Sequence, residues 1–513
     1  MPDNTSSNKR IAKNSLFLSI RMVIVLAISL FTTRQVLRAL GVEDYGVFEV
    51  VAGFVAMFGF LNTSMSNGIQ RFLNFELGKS DKDRVNRVFS TSLLIQLLLA
   101  FLIVVITESI GIWYIYNKMV IPEGRLLAAL WIFQFAIIGF LFSIMQAPFT
   151  AAVMAHEHMD FFALMSIINA VLNLVIVFIL PLFRGDLLIL YGFFVAVIHA
   201  LVFLLYFVYC RIHFKEIKIK LLFDKTLFKS MLGFSGWNVF GSLSNVLRNH
   251  GINLILNIFF GPVVNAARGV AMQINAGVTS FVTNILIPVR PQVIQSYARG
   301  DLNRTMNLTY TISKFCLFLL FLISLPICMD INFVLRVWLG DVIPDHTQNF
   351  CIIIILTSFV LIPMSSLATL VHASGNMRNY QVVGSIVKVL SVPLSYVVLS
   401  FGFAPEWAFA LVFIFDVIGF VVGMFIIRTL MPFSISEYFR RVLIPLIPMF
   451  VFGLLSVFCI IKVMPLGLIR FIIVLIVGSI VALSSFYYIA LSKVEKEIIN
   501  GYILNIIHKL KHD

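Results

Sequence analysis

Long apolar runs dominate this 513-residue chain and determine the environment in which it can fold. Only 12% of its residues are charged, whereas a soluble chain carries about a quarter. A membrane-spanning helix needs about 20 mostly apolar residues, and about fourteen runs reach that length. They lie at roughly 15–36, 45–67, 88–112, 126–147, 162–181, 187–209, 232–260, 267–289, 311–335, 347–371, 380–400, 405–428, 441–462 and 466–491. Because a backbone in lipid must satisfy its own hydrogen bonds, we expect an all-α polytopic membrane protein with about 14 transmembrane helices.

An internal repeat divides these runs into two groups of six. The segment Leu77–Arg84 aligns without a gap on Tyr297–Arg304, and the same offset places Gly41 on Gly261. Each copy lies in a polar loop between the second and third run of its half. We therefore predict two pseudo-symmetric six-helix lobes followed by two further helices. Secondary transporters are often built from such repeats, so a pump, carrier or flippase is the leading hypothesis.

The repeat also sets the predicted domain boundaries. Residues 1–209 form the N-terminal lobe with spans 1–6, and residues 231–430 form the C-terminal lobe with spans 7–12. A basic linker, 210–230, separates them, and 431–513 holds spans 13 and 14 with a tail. The linker suits an interfacial segment, with binding of acidic lipid headgroups as the alternative.

The distribution of basic residues predicts the orientation. With the N-terminus inside, most of the 38 lysines and arginines fall in the tails and loops of one side. The positive-inside rule then places both termini in the cytoplasm. This bias also accounts for the net charge of +14 without a nucleic-acid partner. The polar start and the long first run predict that span 1 is retained and is no cleaved signal.

No pattern of catalytic or metal-binding residues is recognisable. The five cysteines lie in spans or at span ends without a CxxC pair, so we predict neither a disulfide framework nor a metal site. Gly78-Lys79-Ser80 resembles the end of a phosphate-binding loop, but Leu73 occupies the place of its first glycine. The spacing of His156-Glu157-His158 does not suit two metal ligands on one helix face, and we interpret it as a polar turn. We expect no cofactor, no catalytic residue and no enzymatic activity.

Span 7 is the most polar of the predicted helices. Its polar side chains recur at steps of three or four, which keeps them near one helix face. They are Asn238, Ser242, Asn245, Arg248, Asn249, Asn253 and Asn257. Buried amides can simply bind helices together, at about 0.6 kcal/mol per hydrogen bond. A stripe of this length that includes an arginine favours the wall of a water-filled cavity.

Arginines in or beside spans 1, 7 and 8 suggest an anionic substrate. Span 1 carries Arg21 and Arg34, span 7 carries Arg248, and Arg268 begins span 8. An arginine at the bilayer centre is costly unless it finds water or a partner; Arg21 and Arg34 lie where snorkelling to an interface is the alternative. The interiors of spans 1 and 7 contain no acid. Guanidinium groups bind phosphate or diphosphate bidentately, so this set does not suit a cationic drug.

Lys388 in span 11 and Asp416 in span 12 are opposite charges at similar predicted depth. A structural ion pair between neighbouring helices is the interpretation we favour. The alternative is a titrating element that couples transport to H⁺ or Na⁺. Glu49 and Asp330, near the ends of spans 2 and 9, are weaker candidates for the same role.

Four diffuse motifs resemble a known family. They are the segment Leu40–Phe48, the Phe259-Phe260-Gly261 turn, Ala155-His156-Glu157, and the repeated loops with Gly78-Lys79 and Ala298-Arg299. On these residues the chain resembles the polysaccharide transporters, the Wzx-type flippases of lipid-linked oligosaccharides. These belong to the multidrug/oligosaccharidyl-lipid/polysaccharide exporter superfamily. The resemblance covers nearly the whole chain.

The resemblance implies a two-lobed bundle around a central cavity and a bacterial inner-membrane location. It implies that a polyprenyl-diphosphate-linked oligosaccharide, an O-antigen, capsule or exopolysaccharide repeat unit, crosses to the outer leaflet by alternating access. Basic cavity residues bind the diphosphate and sugar in this family, a role that Arg21, Arg34, Arg248 and Arg268 match by type and place. We include the span 7 amides Asn245, Asn249 and Asn253 in the predicted site. The implied partners are membrane lipids and the polymerase and glycosyltransferases of the same pathway.

Three alternatives remain. An ion-coupled multidrug exporter and a peptidoglycan-precursor flippase belong to the same superfamily, and spans 13 and 14 favour the latter. A polytopic glycan polymerase is the alternative from another class. That enzyme would need a large outer loop with catalytic acids, whereas the longest predicted outer loop, around Glu108 to Arg125, has under about twenty residues.

Overall fold

Helices account for the architecture, as the apolar runs predict. The computed structural model describes residues 4–78, 81–156, 158–217, 224–340, 342–374, 376–493, 495–497 and 500. Within those ranges there is no β-strand. The α-helices are α1 (Asn4–Ala56), α2 (Gly59–Gly78), α3 (Lys82–Ile106), α4 (Ile112–Asn117), α5 (Leu126–Ala155), α6 (Met159–Ile179), α7 (Leu187–His213), α8 (Lys225–Phe260), α9 (Pro262–Ala298), α10 (Leu302–Met329), α11 (Ile331–Leu339), α12 (Thr347–Ser374), α13 (Arg378–Ser400), α14 (Glu406–Leu430), α15 (Ile435–Tyr438), α16 (Ile444–Val463) and α17 (Leu468–Ser485).

Eleven helical segments of the described chain are long and apolar enough to cross a membrane. The all-α, multi-pass fold is therefore confirmed, whereas the number fourteen stays a prediction. Every predicted span lies largely in helix, but the predicted span 45–67 is divided between the end of α1 and the start of α2. Spans 1 and 2 are joined within α1, which turns at Gly41 with φ 80°. The amides and arginines of α8 and the start of α9 lower the apolar character of those two helices.

The first of two compact units comprises Met1–Gln273, Trp338–Phe350 and Ser385–Leu411. Its most extensive packing joins α5 to α7, and α1 packs against α6 and α5. A cluster of rings fills the space between α1, α4 and α5: Phe54 stacks on Tyr114 at 6.0 Å and lies 6.1 Å from Phe133. Because these rings are apolar and large, their contact fixes the rotation of α1 within this unit.

The second unit comprises Ile274–Val337, Cys351–Gly384 and Val412–Asp513. Its core joins α10 to α16 and α17 through buried residues such as Phe321, Leu325 and Val474. Arg470 of α17 forms an ion pair with Asp330 at the end of α10. Lys314 of α10 pairs at 2.6 Å with Glu495, which follows α17 in the chain. The last two predicted spans are therefore part of the core of this unit. The predicted lobes 1–209 and 231–430 follow the repeat instead of these contacts, and their boundaries stay a prediction.

The internal repeat has the same backbone geometry in both copies. Asp81 and Asp301 each cap the following helix, accepting hydrogen bonds from the N–H groups of Arg84 and Arg304 at 3.0 and 2.9 Å. A capping carboxylate satisfies one of the free N–H groups that begin every helix. The paired turns Gly41 and Gly261 have φ of 80° and 75°, which favours glycine.

The described part of the linker begins against the end of α5. The His156 ring stacks on Phe214 at 3.9 Å, and its Nε2 lies 2.9 Å from Glu216 Oε1. Burial acts to raise the pKa of Glu216, but its hydrogen bonds with His156 and with its own backbone hold that pKa below its ordinary value. The polar turn at His156 thus anchors the linker. Its neighbour Glu157 and linker residues 218–223 lie outside the described residues.

Candidate functional site

The polar stripe lies on α8, whose two ends are specified locally. Asp224 caps the start by accepting from the N–H groups of Thr226 and Leu227, and Gly261 ends the helix with φ 75°. Asn245, Asn249, Asn253 and Asn257 recur every fourth residue and share one face. The side chains of Asn238 and Ser242 lie outside the described part of the structure.

The N-terminal part of the described stripe contacts α13. The Lys388 Nζ donates to Asn245 Oδ1 at 3.2 Å, and Ser244 donates to Ser385 at 3.0 Å. Lys388 is half-buried in the first unit, and Asp416 is fully buried in the second. The pairing of Lys388 with Asp416 stays a prediction, and the structure adds Asn245 as a partner of the lysine.

Two buried arginines lie beside the middle of the stripe, around Asn249. Arg248 has 6% of its surface exposed, and the next residue, Asn249, is exposed. Arg268 of α9 is 8% exposed, and its Nη2 donates to the Asn249 carbonyl at 2.8 Å. Its Nε has no hydrogen-bond partner among the described residues. Buried arginines from two helices thus flank the exposed residue Asn249, and guanidinium groups can bind a diphosphate through forked hydrogen bonds.

The C-terminal part of the stripe joins helices through hydrogen bonds. Asn257 accepts from the Val120 N–H at 2.9 Å, and its amide donates to Asn265 Oδ1 at 3.2 Å. Asn265 donates in turn to Asn253 Oδ1 at 2.9 Å. All three asparagines are at most 1% exposed. At these positions the structure favours the helix-binding interpretation over the wall of a water-filled cavity. A substrate contact for Asn253 stays a prediction.

The two arginines of α1 lie in different surroundings. Arg21 donates to the Ser166 hydroxyl at 3.2 Å, and its guanidinium carbon lies 5.0 Å above the Phe162 ring. Arg34 is half-buried and lies near Gly340, where an added Cβ would be 3.9 Å from its Nη2. Sequence reasoning groups Arg21 with Arg34 as arginines of span 1. The structure packs Arg21 against α6 and places Arg34 beside the segment that follows α11.

The segment Leu40–Phe48 forms a close crossing between α1 and α9. A Cβ atom at Gly46 would lie 2.0 Å from the Pro262 carbonyl oxygen, so only glycine allows this approach. One turn further on, a Cβ at Gly269 would lie 2.9 Å from the Glu49 Cδ. Glu49 and Gly269 occupy equivalent positions of the two repeats. The repeats therefore meet at this pair, and α1 follows α8 from there, with Gly53 beside Asn253.

An ion-pair cluster near this crossing escaped the sequence analysis. Arg125 binds Asp44 with two nitrogens and also contacts Asp186, which caps α7. Burial acts to lower the pKa of Arg125, but the two carboxylates raise it above its ordinary value. Asp44 comes from α1, and Arg125 and Asp186 from the loops before α5 and α7, so spacing along the sequence contains no signal for the cluster.

Comparison with known proteins agrees with this architecture. A family model described as "Polysaccharide biosynthesis protein" matches residues 36–348, more than half of the chain. The fold is similar to that of the lipid II flippase MurJ in an inward closed conformation, with TM-score 0.70 and 15% identity over 92% of this chain and 97% of that one. No curated protein matches the sequence.

Transporters of the MOP superfamily have the same fold. One is a multidrug resistance MATE family transporter in an inward-facing conformation, with TM-score 0.62 and 14% identity over 80% of this chain and 97% of that one. Another is a transporter from Pyrococcus furiosus described as having a binding pocket of reverse polarity, with TM-score 0.56 and 15% identity over 81% of this chain and 95% of that one. The fold is that of multi-pass transporters and flippases, and the chain belongs to the polysaccharide biosynthesis protein family.

Proposed function

We propose that this protein flips a polyprenyl-diphosphate-linked oligosaccharide from the cytoplasmic to the outer leaflet of a bacterial inner membrane. The cargo is an O-antigen, capsule or exopolysaccharide repeat unit, and it crosses by alternating access without covalent catalysis. Both termini lie in the cytoplasm, so a cysteine probe at Arg299 should resist labelling in intact cells while one at Lys118 reacts. The reverse labelling pattern would contradict this orientation.

The observation that carries the proposal is the pair of arginines around Asn249. Arg248 directly precedes the exposed Asn249 on α8, and Arg268 of α9 hydrogen-bonds the Asn249 main-chain carbonyl, so two buried arginines flank this residue. We assign the diphosphate to Arg248 and Arg268, and the sugar and its hydroxyls to Asn245 and Asn249. Arg21 and Arg34 bind the substrate at the two ends of its path. Asn253, whose amide serves helix contacts in this state, is expected to contribute least.

The lipid part of the substrate has a candidate groove in the second unit. An apolar recess of about 470 Å³ lies between α16 and α17, lined by residues such as Phe452, Leu455 and Ile480. Phe452, Leu455 and Ile480 are exposed, as side chains that face lipid can be. A prenyl chain can lie in such a recess. Transport is driven by H⁺ or Na⁺, with Lys388 and Asp416 as the candidate coupling residues.

Replacing Arg248 with Ala tests the substrate. The change removes at least one charge-assisted hydrogen bond, worth about 1.5–3 kcal/mol, so we expect flipping to fall about tenfold or more. Arg248→Lys should restore only part of the activity, because lysine lacks the planar fork. The assay is flipping of a fluorescent undecaprenyl-diphosphate glycan in proteoliposomes, with Arg211→Ala, an exposed arginine, as the matched control. Full activity of Arg248→Ala would show that this arginine does not carry the substrate.

A peptidoglycan-precursor flippase is the second candidate. It is favoured by the fold similarity to the lipid II flippase over 92% of the chain and by the two helices that follow the repeat. The same proteoliposomes distinguish the two functions when lipid II replaces the glycan-linked lipid. Faster transport of lipid II would reverse our preference.

A further inference from the structure

The crossing of α1 and α9 brings a carboxylate to the buried Arg268. Glu49 lies against the α9 backbone at Gly269, the residue that follows the arginine. The Glu49 carboxylate and the Arg268 guanidinium attract each other electrostatically. Tyr45, one turn earlier on α1, is also buried. An acid of the crossing thus faces one of the residues to which we assign the diphosphate.

The remaining groups around this pair do not neutralise the arginine. Arg268 donates to a main-chain carbonyl, that of Asn249, and its Nε has no hydrogen-bond partner among the described residues. His250 follows Asn249 on α8, and its buried Nδ1 has no hydrogen-bond partner within the described chain. The Asn253 amide binds the Glu49 main-chain carbonyl at 3.3 Å and leaves the carboxylate available. Arg268 therefore retains capacity for a second anion.

We propose that Arg268 is exchanged between two anions: the Glu49 carboxylate, which holds the α1–α9 crossing closed, and the diphosphate of the substrate, which releases it. This inference rests on the proposed function. A diphosphate offers more charge and more acceptor oxygens than one carboxylate, so it competes for the fork. A ligand shifts a conformational equilibrium only by binding one state better, and the loss of the electrostatic attraction to Glu49 supplies that difference. Substrate binding thereby opens the end of the bundle at Gly41 and Gly261.

Two exposed positions can report whether the crossing is closed. Glu43 lies on α1, between the Gly41 turn and Gly46. Ser400 ends α13, whose Tyr396 ring packs 5.3 Å from Phe259 of α8. Separation of α1 from α8 and α9 should lengthen the distance between these positions. Spin labels at Glu43→Cys and Ser400→Cys, in the full chain with its native cysteines replaced, measure it in lipid nanodiscs.

The ligand-free comparison tests the role of Glu49. Glu49→Gln keeps the shape of the side chain and removes its charge, so we expect the longer-distance population to rise about fivefold or more, as in typical couplings between sites. Glu123→Gln is the matched control, since Glu123 is an exposed acid of the same unit, and it should leave the distances unchanged. Identical distance distributions for Glu49→Gln and Glu123→Gln would overturn the proposal.

The second comparison adds farnesyl diphosphate, with binding measured separately by calorimetry. We expect it to lengthen the distance in the otherwise unaltered chain and to add no further change in Arg268→Gln. Binding without any change of distance would overturn the exchange. Absence of binding would overturn the proposed function and the exchange together, whereas the ligand-free result for Glu49→Gln would still decide whether that acid closes the crossing.

Discussion

Arg268 in the first unit and Arg470 in the second are equally buried, each with 8% of its surface exposed. Their partners differ. Arg470 contacts the buried carboxylate of Asp330 and donates to the Met464 carbonyl at 3.3 Å. Arg268 donates to a main-chain carbonyl and has no carboxylate at salt-bridge distance among the described residues.

The difference shows that burial alone does not separate a structural arginine from a functional one. A guanidinium beside a buried carboxylate is neutralised and joins two helices. A guanidinium bound to a neutral carbonyl keeps its attraction for an anion, and this attraction is what a diphosphate site requires. An ionisable side chain buried within a membrane protein is a candidate functional residue for that reason.

Removal of Asp330 should have the largest effect on stability. Asp330→Ala leaves Arg470 buried without its carboxylate, so we expect a loss of about 3–5 kcal/mol in the free energy of unfolding. Asp330→Ala combined with Arg470→Met should recover part of it, because no unpaired charge remains. Glu49→Ala, which removes an attraction without a direct contact, should cost less. Thermal unfolding in detergent measures all three, and equal losses for Asp330→Ala and Glu49→Ala would break the comparison.

Lys388 and Asp416 are a second pair of opposite charges for which a structural and a functional role can be compared. If they form a structural pair, each single neutral variant should lose about 1–3 kcal/mol, and the double variant Lys388→Met with Asp416→Asn should lose less than the sum. We expect this outcome, although the hydrogen bond from Lys388 to Asn245 reduces the penalty for the lysine. Thermal stability and gradient-dependent flipping in liposomes are the two measurements. A stable double variant without gradient-dependent flipping would assign Asp416 to the coupling ion instead.

The ion pair of Lys314 with Glu495 should give the smallest effect, and it depends on pH. Burial acts to raise the pKa of Glu495, but hydrogen bonds from Lys314 and Ser492 hold that pKa below its ordinary value of 4.5. A depressed carboxyl pKa stabilises the folded state fully above the unfolded pKa, and this contribution is lost as the pH falls through the folded value. The difference in Tm between the unaltered chain and Glu495→Gln should therefore shrink below about pH 4.5. The control is Glu497→Gln, an exposed neighbour, and a difference that is independent of pH would contradict the assignment.

The turns of the repeat could be predicted from the sequence, because hydrogen bonds and backbone preferences within a few residues determine them. A carboxylate three residues before an N–H group caps a helix wherever the chain places it, so Asp81 and Asp301 form the same turn. Gly41 and Gly261 likewise adopt a backbone conformation that other residues avoid. Apolar runs long enough to span a membrane predict helices for the same local reason.

The partners of the polar residues could not be predicted. Helical periodicity identifies the face of α8 that carries its asparagines, but not the surface that each one meets. Asn253 and Asn257 meet other amides and main-chain groups, whereas Asn249 remains exposed four residues away. The contacts depend on how helices far apart in the sequence pack together.

The sequence by itself determined the helical membrane architecture, the repeat and the arginines available for an anion, because these follow from composition, spacing and local hydrogen bonding. The tertiary structure alone decided that Arg125 binds Asp44, that Arg470 contacts Asp330, and that Arg268 is left beside Glu49 without a direct carboxylate partner. The position of Glu49 beside α9 depends on a helix crossing in which Gly46 and Gly269 allow a close approach. Helix packing brings together charges from distant segments of the chain. Whether a buried arginine meets a carboxylate or a neutral carbonyl decides whether it joins helices or stays available for an anion.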